Sequence, residues 1–333
     1  MSVREREAES VLVAPPPGRD TPKRRRSSRL AASPFTRGLD PDSSRVYAKA
    51  PAGPFDFGHG TAGCWVFYSH AQIRTKTSTA VWIFVVGTNM SPSAYTELAT
   101  AFAESGNIMV VLDPSHRNPV KYQKGRFAGC ANLIKLHLLE WCQQQDPDSF
   151  RMLRTIEHWV VGGHSAGGYG VHEALCDEIT NTDAVVSFDP FYSDSFPLKQ
   201  SLSQNLPVPA FFWAFTAKSC GVDPSTGGSR FYSASQAHGV PCALLKLKSP
   251  PLTHCAVTNT GCAPVCKTTS RVSEDQADAL IRMLHKDVAT SCLNVLQALA
   301  QGMPRGWTSG RLQAGLHVPS SEEAFESFAS SAS

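Results

Sequence analysis

Residues 158–168 read HWVVGGHSAGG, and this stretch decides the fold. Its apolar first part, 158–161, predicts a buried strand, and residues 166–179 predict a helix. Between them, residues 163–167 match Gly-x-Ser-x-Gly, the pattern of a sharp turn that exposes a serine hydroxyl at the end of a strand. Small residues are needed beside the serine because backbone crowds such a turn. The stretch therefore predicts a strand, a tight turn and a helix, with Ser165 presented as a nucleophile.

Apolar runs and amphipathic stretches alternate on both sides of this motif. Strands that are apolar throughout and separated by helices are typical of a parallel sheet covered by helices on both faces. The predicted fold class is therefore α/β, with a mostly parallel central sheet whose chemistry lies in loops beyond the carboxyl ends of the strands. The further predicted strands are 81–86, 108–112, 184–188, 210–215 and 243–247, and the further predicted helices are 91–105, 126–143 and 273–302.

Composition separates a central domain from two tails. The 333 residues are 42% hydrophobic and 18% charged, which suits a domain with an ample core, and a net charge of +3 is too small to indicate a nucleic-acid partner. The chain has no apolar run of about 18 residues, so no integral membrane span is predicted. Residues 1–50 and 304–333 hold little that could bury a core and are predicted to be disordered. The catalytic domain is predicted over residues 51–303.

The N-terminal tail leaves the compartment open. Residues 21–38 are rich in Arg and Ser and poor in acids, as plastid and mitochondrial transit peptides are. Glu5, Glu7 and Glu9 favour instead a solvated tail on a cytoplasmic protein. The basic cluster at 23–26 also leaves a nuclear signal open.

Cysteine is frequent in the C-terminal third, which raises the question of a metal. Cys255, Cys262 and Cys266 together with His254 would supply zinc ligands, but the paired Cys-x-x-Cys spacing of zinc sites is absent. The pattern favours buried or loop thiols, with one or more disulfides if the compartment is oxidising. Neither a metal nor a cofactor is predicted.

A serine nucleophile needs a base, and the base needs an acid to orient it. On sheets of this type the order along the chain is Ser, then the acid, then His. His254 follows the last predicted strand through a Ser-Pro-Pro loop and precedes the last helix, which makes it the predicted base. His172 and His285 fall inside predicted helices, and His238 lies in a loop or at a helix end.

Two aspartates compete for the role of the acid. Asp189 directly follows the strand 184–188, whereas Asp223 lies eight residues beyond the strand that ends at Phe215. An aspartate at the end of a strand is held more rigidly than one far out in a loop. Asp189 is therefore the predicted acid, and Asp223 is the alternative.

Acyl transfer also requires donors for the developing oxyanion. The backbone amide of Ala166, the residue after the nucleophile, is one predicted donor. The other is the amide of Thr88, in the loop after the strand that ends at Val86, with the Asn89 side chain as a helper.

With these residues in place, residues 55–300 resemble the chlorophyllase group of α/β-hydrolases and the related platelet-activating-factor acetylhydrolases and polyester hydrolases. The resemblance is carried by Gly-His-Ser-Ala-Gly-Gly at 163–168, by Phe-Asp-Pro at 188–190 and by His254 before a Cys-containing loop. It implies an α/β-hydrolase fold, and it favours Asp189, since a similar Asp-Pro carries the acid in chlorophyllases. The chain departs from plant chlorophyllases at Ala166, where they have Arg.

The predicted function is a serine carboxylic-ester hydrolase that acts on a hydrophobic small-molecule ester. The resemblance to chlorophyllases implies cleavage of chlorophyll to chlorophyllide and phytol. A general carboxylesterase or lipase, or an acetylhydrolase of lipid or short-chain esters, is the alternative. A catalytically inactive hydrolase fold that serves as a binding protein is a further alternative.

Overall fold

The computed structural model describes residues 46–50, 63–113, 126–176, 182–191, 208, 210–214, 227–237, 242–247, 254, 257–258 and 325–330. All of these residues belong to the unit Pro41–Ser333. The predicted last helix at 273–302 and the alternative acid Asp223 lie outside the described residues.

In the described part of the chain, nine strands form one sheet in the order β1-β2-β4-β3-β5-β6-β7-β8-β9. From β4 across to β8 all neighbours pair in parallel, whereas β1, β2 and β9 pair antiparallel at the two sides. The strands are β1 Val46–Ala50, β2 Gly63–Tyr68, β3 Ser78–Val85, β4 Ile108–Asp113, β5 Thr155–His164, β6 Ala184–Phe188, β7 Ala210–Ala214, β8 Cys242–Leu247 and β9 Phe325–Ser330.

Helices connect the strands and cover both faces of the sheet. The helices that the structure describes are α1 His70–Ile73, α2 Thr96–Ala103, α3 Arg126–Gln145, α4 Pro147–Phe150, α5 Ala166–Cys176 and α6 Gly228–Ala237, with a 3₁₀ turn at Pro92–Tyr95. Together with the mostly parallel sheet, they confirm the predicted α/β class. No helix among these combines the length and apolarity that crossing a membrane requires.

The side chains of β3 show how the sheet separates two cores. Alternate residues along a strand point to opposite faces, and Val81 and Ile83 enter one core while Trp82 and Phe84 enter the other. Helices α3, α5 and α6 pack on the first face, and α2 packs on the second. Burial on both faces explains why these strands are continuous apolar runs in the sequence.

The parallel strands bring the predicted site residues to one edge of the sheet. Thr88 lies just beyond β3, Ser165 directly follows β5, and Asp189 directly follows β6. His254 follows β8. Because the carboxyl ends of parallel strands lie at the same edge, four separate segments of the chain converge there.

Several elements differ from the sequence prediction. The predicted helix 91–105 is a 3₁₀ turn followed by α2, and β2 was not predicted. Strands β1 and β9 lie within the segments 1–50 and 304–333, for which the sequence predicted disorder. Both are edge strands that pair with a single neighbour. An edge strand does not need the continuous apolar run by which the central strands were recognised.

Candidate active site

The turn at Ser165 is a single residue long. Strand β5 ends at His164, α5 begins at Ala166, and Ser165 between them has a positive φ of 55°. A Cβ on Gly167 would lie 2.3 Å from the carbonyl oxygen of Val86, so backbone passes too close for any larger residue there. Ser165 itself is half-buried. The serine is therefore presented at the carboxyl edge of the sheet on a strained turn that only its small neighbours permit.

Backbone hydrogen bonds hold this turn against the end of β6. The Ser165 amide donates to the carbonyl of Phe188 at 3.1 Å, and the Phe191 amide donates to the carbonyl of Ser165 at 2.9 Å. Asp189 lies between these two partners in the sequence. The nucleophile and the predicted acid therefore occupy adjoining turns.

The carboxylate of Asp189 is buried and accepts two hydrogen bonds. Its Oδ2 lies 2.7 Å from Nδ1 of His254, and its Oδ1 accepts from the Gly228 amide at 3.0 Å. Gly228 is the first residue of α6, where the exposed amides and the helix dipole favour a negative charge. The side chain is only 2% exposed, so both bonds act in a medium of low dielectric constant.

Sequence reasoning missed the contribution of the residues that begin α6. A Cβ on Gly227 would lie 2.0 Å from Oδ1 of Asp189. The residue before the helix must therefore be glycine for the carboxylate to reach the amide of Gly228. The only signal in the sequence is the Gly-Gly pair before the amphipathic stretch 228–237.

His254 is oriented by the acid. It is 3% exposed, and its Nδ1–H donates to the Asp189 carboxylate. In a neutral imidazole this bond leaves Nε2 as the basic nitrogen. The structure therefore brings Asp189 and His254 together in the arrangement that prepares a histidine to accept a proton from a hydroxyl.

His164, to which the sequence analysis gave no role, contacts the main chain of His254. Its Nε2 lies 2.7 Å from the carbonyl oxygen of His254, and the two imidazole rings are 4.6 Å apart between centroids. On its other side, His164 Nδ1 lies 2.8 Å from the hydroxyl of Tyr95. Complete burial, followed by the nearby charge of His254, holds the pKa of His164 well below its ordinary value. His164 is therefore neutral.

The segments that carry the two predicted oxyanion donors lie beside Ser165. Ala166 begins α5, and the loop after β3 approaches so closely that a Cβ on Gly87 would lie 3.4 Å from the Cβ of Ser165. The Gly87 amide donates to the Tyr95 hydroxyl at 2.9 Å, so the loop donor has to come from a later residue. Thr88, the predicted donor, is the next residue and is exposed.

Backbone strain is concentrated at this edge of the sheet. In the described part of the chain, the non-glycine residues with positive φ are Asn89 at 60°, Ser165 at 55° and Asp189 at 37°. Each lies just beyond the carboxyl end of a strand. Such conformations cost about 1–3 kcal/mol each and cluster at functional sites.

Other candidates of the sequence analysis are placed elsewhere or lie outside the described residues. His172 is buried within α5, where its ring packs against Phe212 and Phe231. Burial lowers the pKa of His172 to about 3. It therefore belongs to the packed core and not to the site. Asp223, His238 and His285 lie outside the described residues, as do Cys255, Cys262 and Cys266.

No protein-family model matches the chain, and no curated protein is significantly similar to it. Within the described ranges, no three His, Cys, Asp or Glu side chains are grouped as ligands for a metal ion. The function is therefore argued from the geometry around Ser165, Asp189 and His254.

Proposed function

We propose that this protein is a serine carboxylic-ester hydrolase with an α/β-hydrolase fold, in which Ser165, Asp189 and His254 form the catalytic triad. The observation that carries the proposal is the buried 2.7 Å hydrogen bond between Asp189 and His254, next to the strained turn of Ser165. A buried carboxylate bonded to Nδ1 fixes the imidazole tautomer and stabilises the imidazolium that forms during acyl transfer.

The first half of the reaction forms an acyl-enzyme. Oγ of Ser165 attacks the carbonyl carbon of the ester while Nε2 of His254 takes the hydroxyl proton. The backbone amides of Thr88 and Ala166 donate to the oxyanion of the tetrahedral intermediate. The intermediate collapses, the ester C–O bond breaks, and the alcohol leaves with the proton from His254.

The second half regenerates the serine. His254 takes a proton from water, the hydroxide attacks the acyl carbon, and the bond to Oγ breaks. The carboxylic acid is released, and Oγ regains its proton from His254. These reaction steps use the protein's own groups and water.

The resemblance to chlorophyllases supports an ester of a hydrophobic alcohol as the substrate, with chlorophyll, cleaved to chlorophyllide and phytol, as its specific form. The departure at Ala166 supports the alternative of a general carboxylesterase or of an acetylhydrolase of lipid or short-chain esters. The chlorophyllase and the alternative esterases differ in the ester that they accept, and both would use the same triad.

The test compares hydrolysis of p-nitrophenyl butyrate and of chlorophyll a by the wild type and by Ser165→Ala. We expect butyrate hydrolysis to fall by at least about 10³-fold in the variant, since the nucleophile is lost. Ser149→Ala removes the hydroxyl of a different serine, which is buried and contacts His70, and serves as the matched control.

Chlorophyllide formation that depends on Ser165 would assign the chlorophyllase activity, and butyrate hydrolysis alone would assign a general esterase. Equal rates for the wild type and Ser165→Ala, or no activity on any ester, would contradict the proposal and favour a binding protein with a hydrolase fold.

A further inference from the structure

The chemistry of its partners assigns directions to the hydrogen bonds of His164. The carbonyl of His254 can only accept, so Nε2 of His164 carries the proton and donates to it at 2.7 Å. In a neutral imidazole Nδ1 is then an acceptor, and it takes the hydroxyl proton of Tyr95 at 2.8 Å. The Tyr95 oxygen in turn accepts from the Gly87 amide at 2.9 Å. The result is a single ordered chain of bonds: Gly87 to Tyr95, Tyr95 to His164, and His164 to His254.

These three hydrogen bonds join segments that are far apart in the sequence. Gly87 lies in the loop that carries the predicted oxyanion donor, and His254 carries the predicted base. His164 directly precedes the nucleophile Ser165 and ends β5. Two buried side chains, those of His164 and Tyr95, therefore connect the base and the oxyanion loop to the residue before the serine. His164 and Tyr95 are 1% and 0% exposed, so water does not compete for these bonds.

The hydrogen bond of His164 to His254 complements that of Asp189. Asp189 holds the ring of His254 at Nδ1, but a ring held at one atom still moves with its backbone. His164 holds the backbone of the same residue at its carbonyl oxygen. Two points of attachment set both the position and the rotation of the ring. Displacements of about 1 Å in such arrangements cost about 100-fold in rate.

The charge of His164 also matters. At a distance of 4.6 Å between ring centroids, a positive charge on His164 would oppose the imidazolium that His254 becomes during acyl transfer. A neutral imidazole avoids this repulsion while still donating one hydrogen bond and accepting another.

We infer that His164, together with Tyr95, is a positioning unit that locks the His254 backbone and the Gly87 loop into the geometry needed for acylation of Ser165. The inference rests on the proposed function. His164 touches no reacting atom, so its removal lowers kcat and leaves KM nearly unchanged, because ground-state binding of the substrate does not depend on it.

The test uses the full chain, four single variants and the double variant that combines His164→Phe with Tyr95→Phe. His164→Phe keeps a ring and removes both hydrogen bonds, whereas the amide of His164→Gln can donate to one partner and accept from the other. Tyr95→Phe removes the hydroxyl. His172→Phe is the matched control, because it replaces another buried histidine that packs in the core of the opposite face. The rate of covalent labelling of Ser165 by a fluorophosphonate, kcat and KM for p-nitrophenyl butyrate, and the melting temperature are measured for each.

We expect His164→Phe to reduce labelling rate and kcat by about 10- to 100-fold with KM within about twofold, and His164→Gln to recover most of this loss. Adding Tyr95→Phe to His164→Phe should cost little more, because the two residues act as one unit. A His164→Phe variant that labels as fast as His172→Phe, or a loss that His164→Gln does not relieve at equal melting temperature, would overturn the inference alone. A wild type that is not labelled at Ser165 would overturn the proposed function, and the inference with it.

Discussion

A second cluster containing serine, histidine and aspartate lies at the opposite edge of the sheet and contrasts with the candidate site. Tyr68 ends β2 beside the beginning of β4, and its hydroxyl donates to Oδ2 of Asp146 at 2.9 Å. His70 Nδ1 lies 2.7 Å from the same oxygen and also contacts Oγ of Ser149. Ser149, His70 and Asp146 are the residue types of a catalytic triad, but their contacts differ from those at the candidate site.

The difference lies in which nitrogen of the histidine is used. In the second cluster, Asp146 and Ser149 both contact Nδ1 of His70. One nitrogen cannot donate to the acid and also accept the proton of the serine. Asp146 also caps α4 by accepting from the Ser149 amide at 3.1 Å. At the candidate site Asp189 contacts Nδ1 of His254, and the proposed mechanism assigns Nε2 to the hydroxyl proton of Ser165. Geometry therefore separates the capping cluster from the proposed catalytic one where composition does not.

The largest effect that this comparison predicts is the loss of the acid. Asp189→Asn keeps the shape of the side chain but removes the charge and favours the wrong tautomer of His254, so we expect kcat to fall by about 10³- to 10⁴-fold. The steady-state hydrolysis of p-nitrophenyl butyrate measures this loss.

Asp146→Asn is the matched control for that substitution. Asparagine caps helices about as well as aspartate, so we expect activity within about twofold of the wild type and a loss of stability below about 1 kcal/mol. Equal losses of activity in Asp189→Asn and Asp146→Asn would contradict the assignment of different roles to the two clusters.

A smaller effect is expected from crowding the acid. Gly227→Ala would place a Cβ 2.0 Å from Oδ1 of Asp189, so the carboxylate must move and the bond from Gly228 is strained. We expect kcat to fall by about 10- to 100-fold. Gly129→Ala is the control, because a Cβ there meets no atom within 4 Å, and alanine in the interior of α3 should stabilise by about 0.5–1 kcal/mol. Unchanged kcat in Gly227→Ala would show that the Gly228 contact does not position the acid.

The smallest expected effect concerns His172, the buried histidine that lies outside the candidate site. Burial lowers the pKa of His172 to about 3, so the unfolded chain binds a proton that the folded chain does not as the pH falls below about 6.5. The contribution of His172 to the free energy of unfolding is therefore largest above pH 6.5. Acidification to pH 5 lowers that free energy by about 2 kcal/mol. His172→Phe should reduce the difference in unfolding free energy between pH 7 and pH 5 by about this amount in urea titrations. An unchanged pH dependence would contradict the burial of a neutral His172.

Much of the sheet could be predicted because its central strands are buried on both faces. Strand β6 was predicted with its observed bounds, and β4, β7 and β8 within one residue, since long apolar runs are distinctive. Strands β1 and β9 were missed because edge strands carry weaker patterns. The buried apolar run of β2 was overlooked. The single amphipathic pattern of residues 91–105 also hid the change from a 3₁₀ turn to α2.

The site was predictable to the extent that it follows chain order and strand ends. Ser165, Asp189 and His254 each follow a predicted strand, and the structure places the last two in contact. The supporting residues were not predictable. Tyr95 reads as a core aromatic, and the contact of His164 with His254 spans 90 residues of sequence. Such contacts depend on the register of the sheet, which local patterns do not encode.

The most direct test of the proposed triad is to locate the reactive serine. The full chain is treated with a fluorophosphonate, digested and mapped by mass spectrometry, with Asp189→Asn and Asp146→Asn treated in parallel. The account predicts one modified residue, Ser165, with labelling slowed strongly in Asp189→Asn and unchanged in Asp146→Asn. Labelling of Ser149, absence of labelling at Ser165, or equal labelling in the two variants would contradict it.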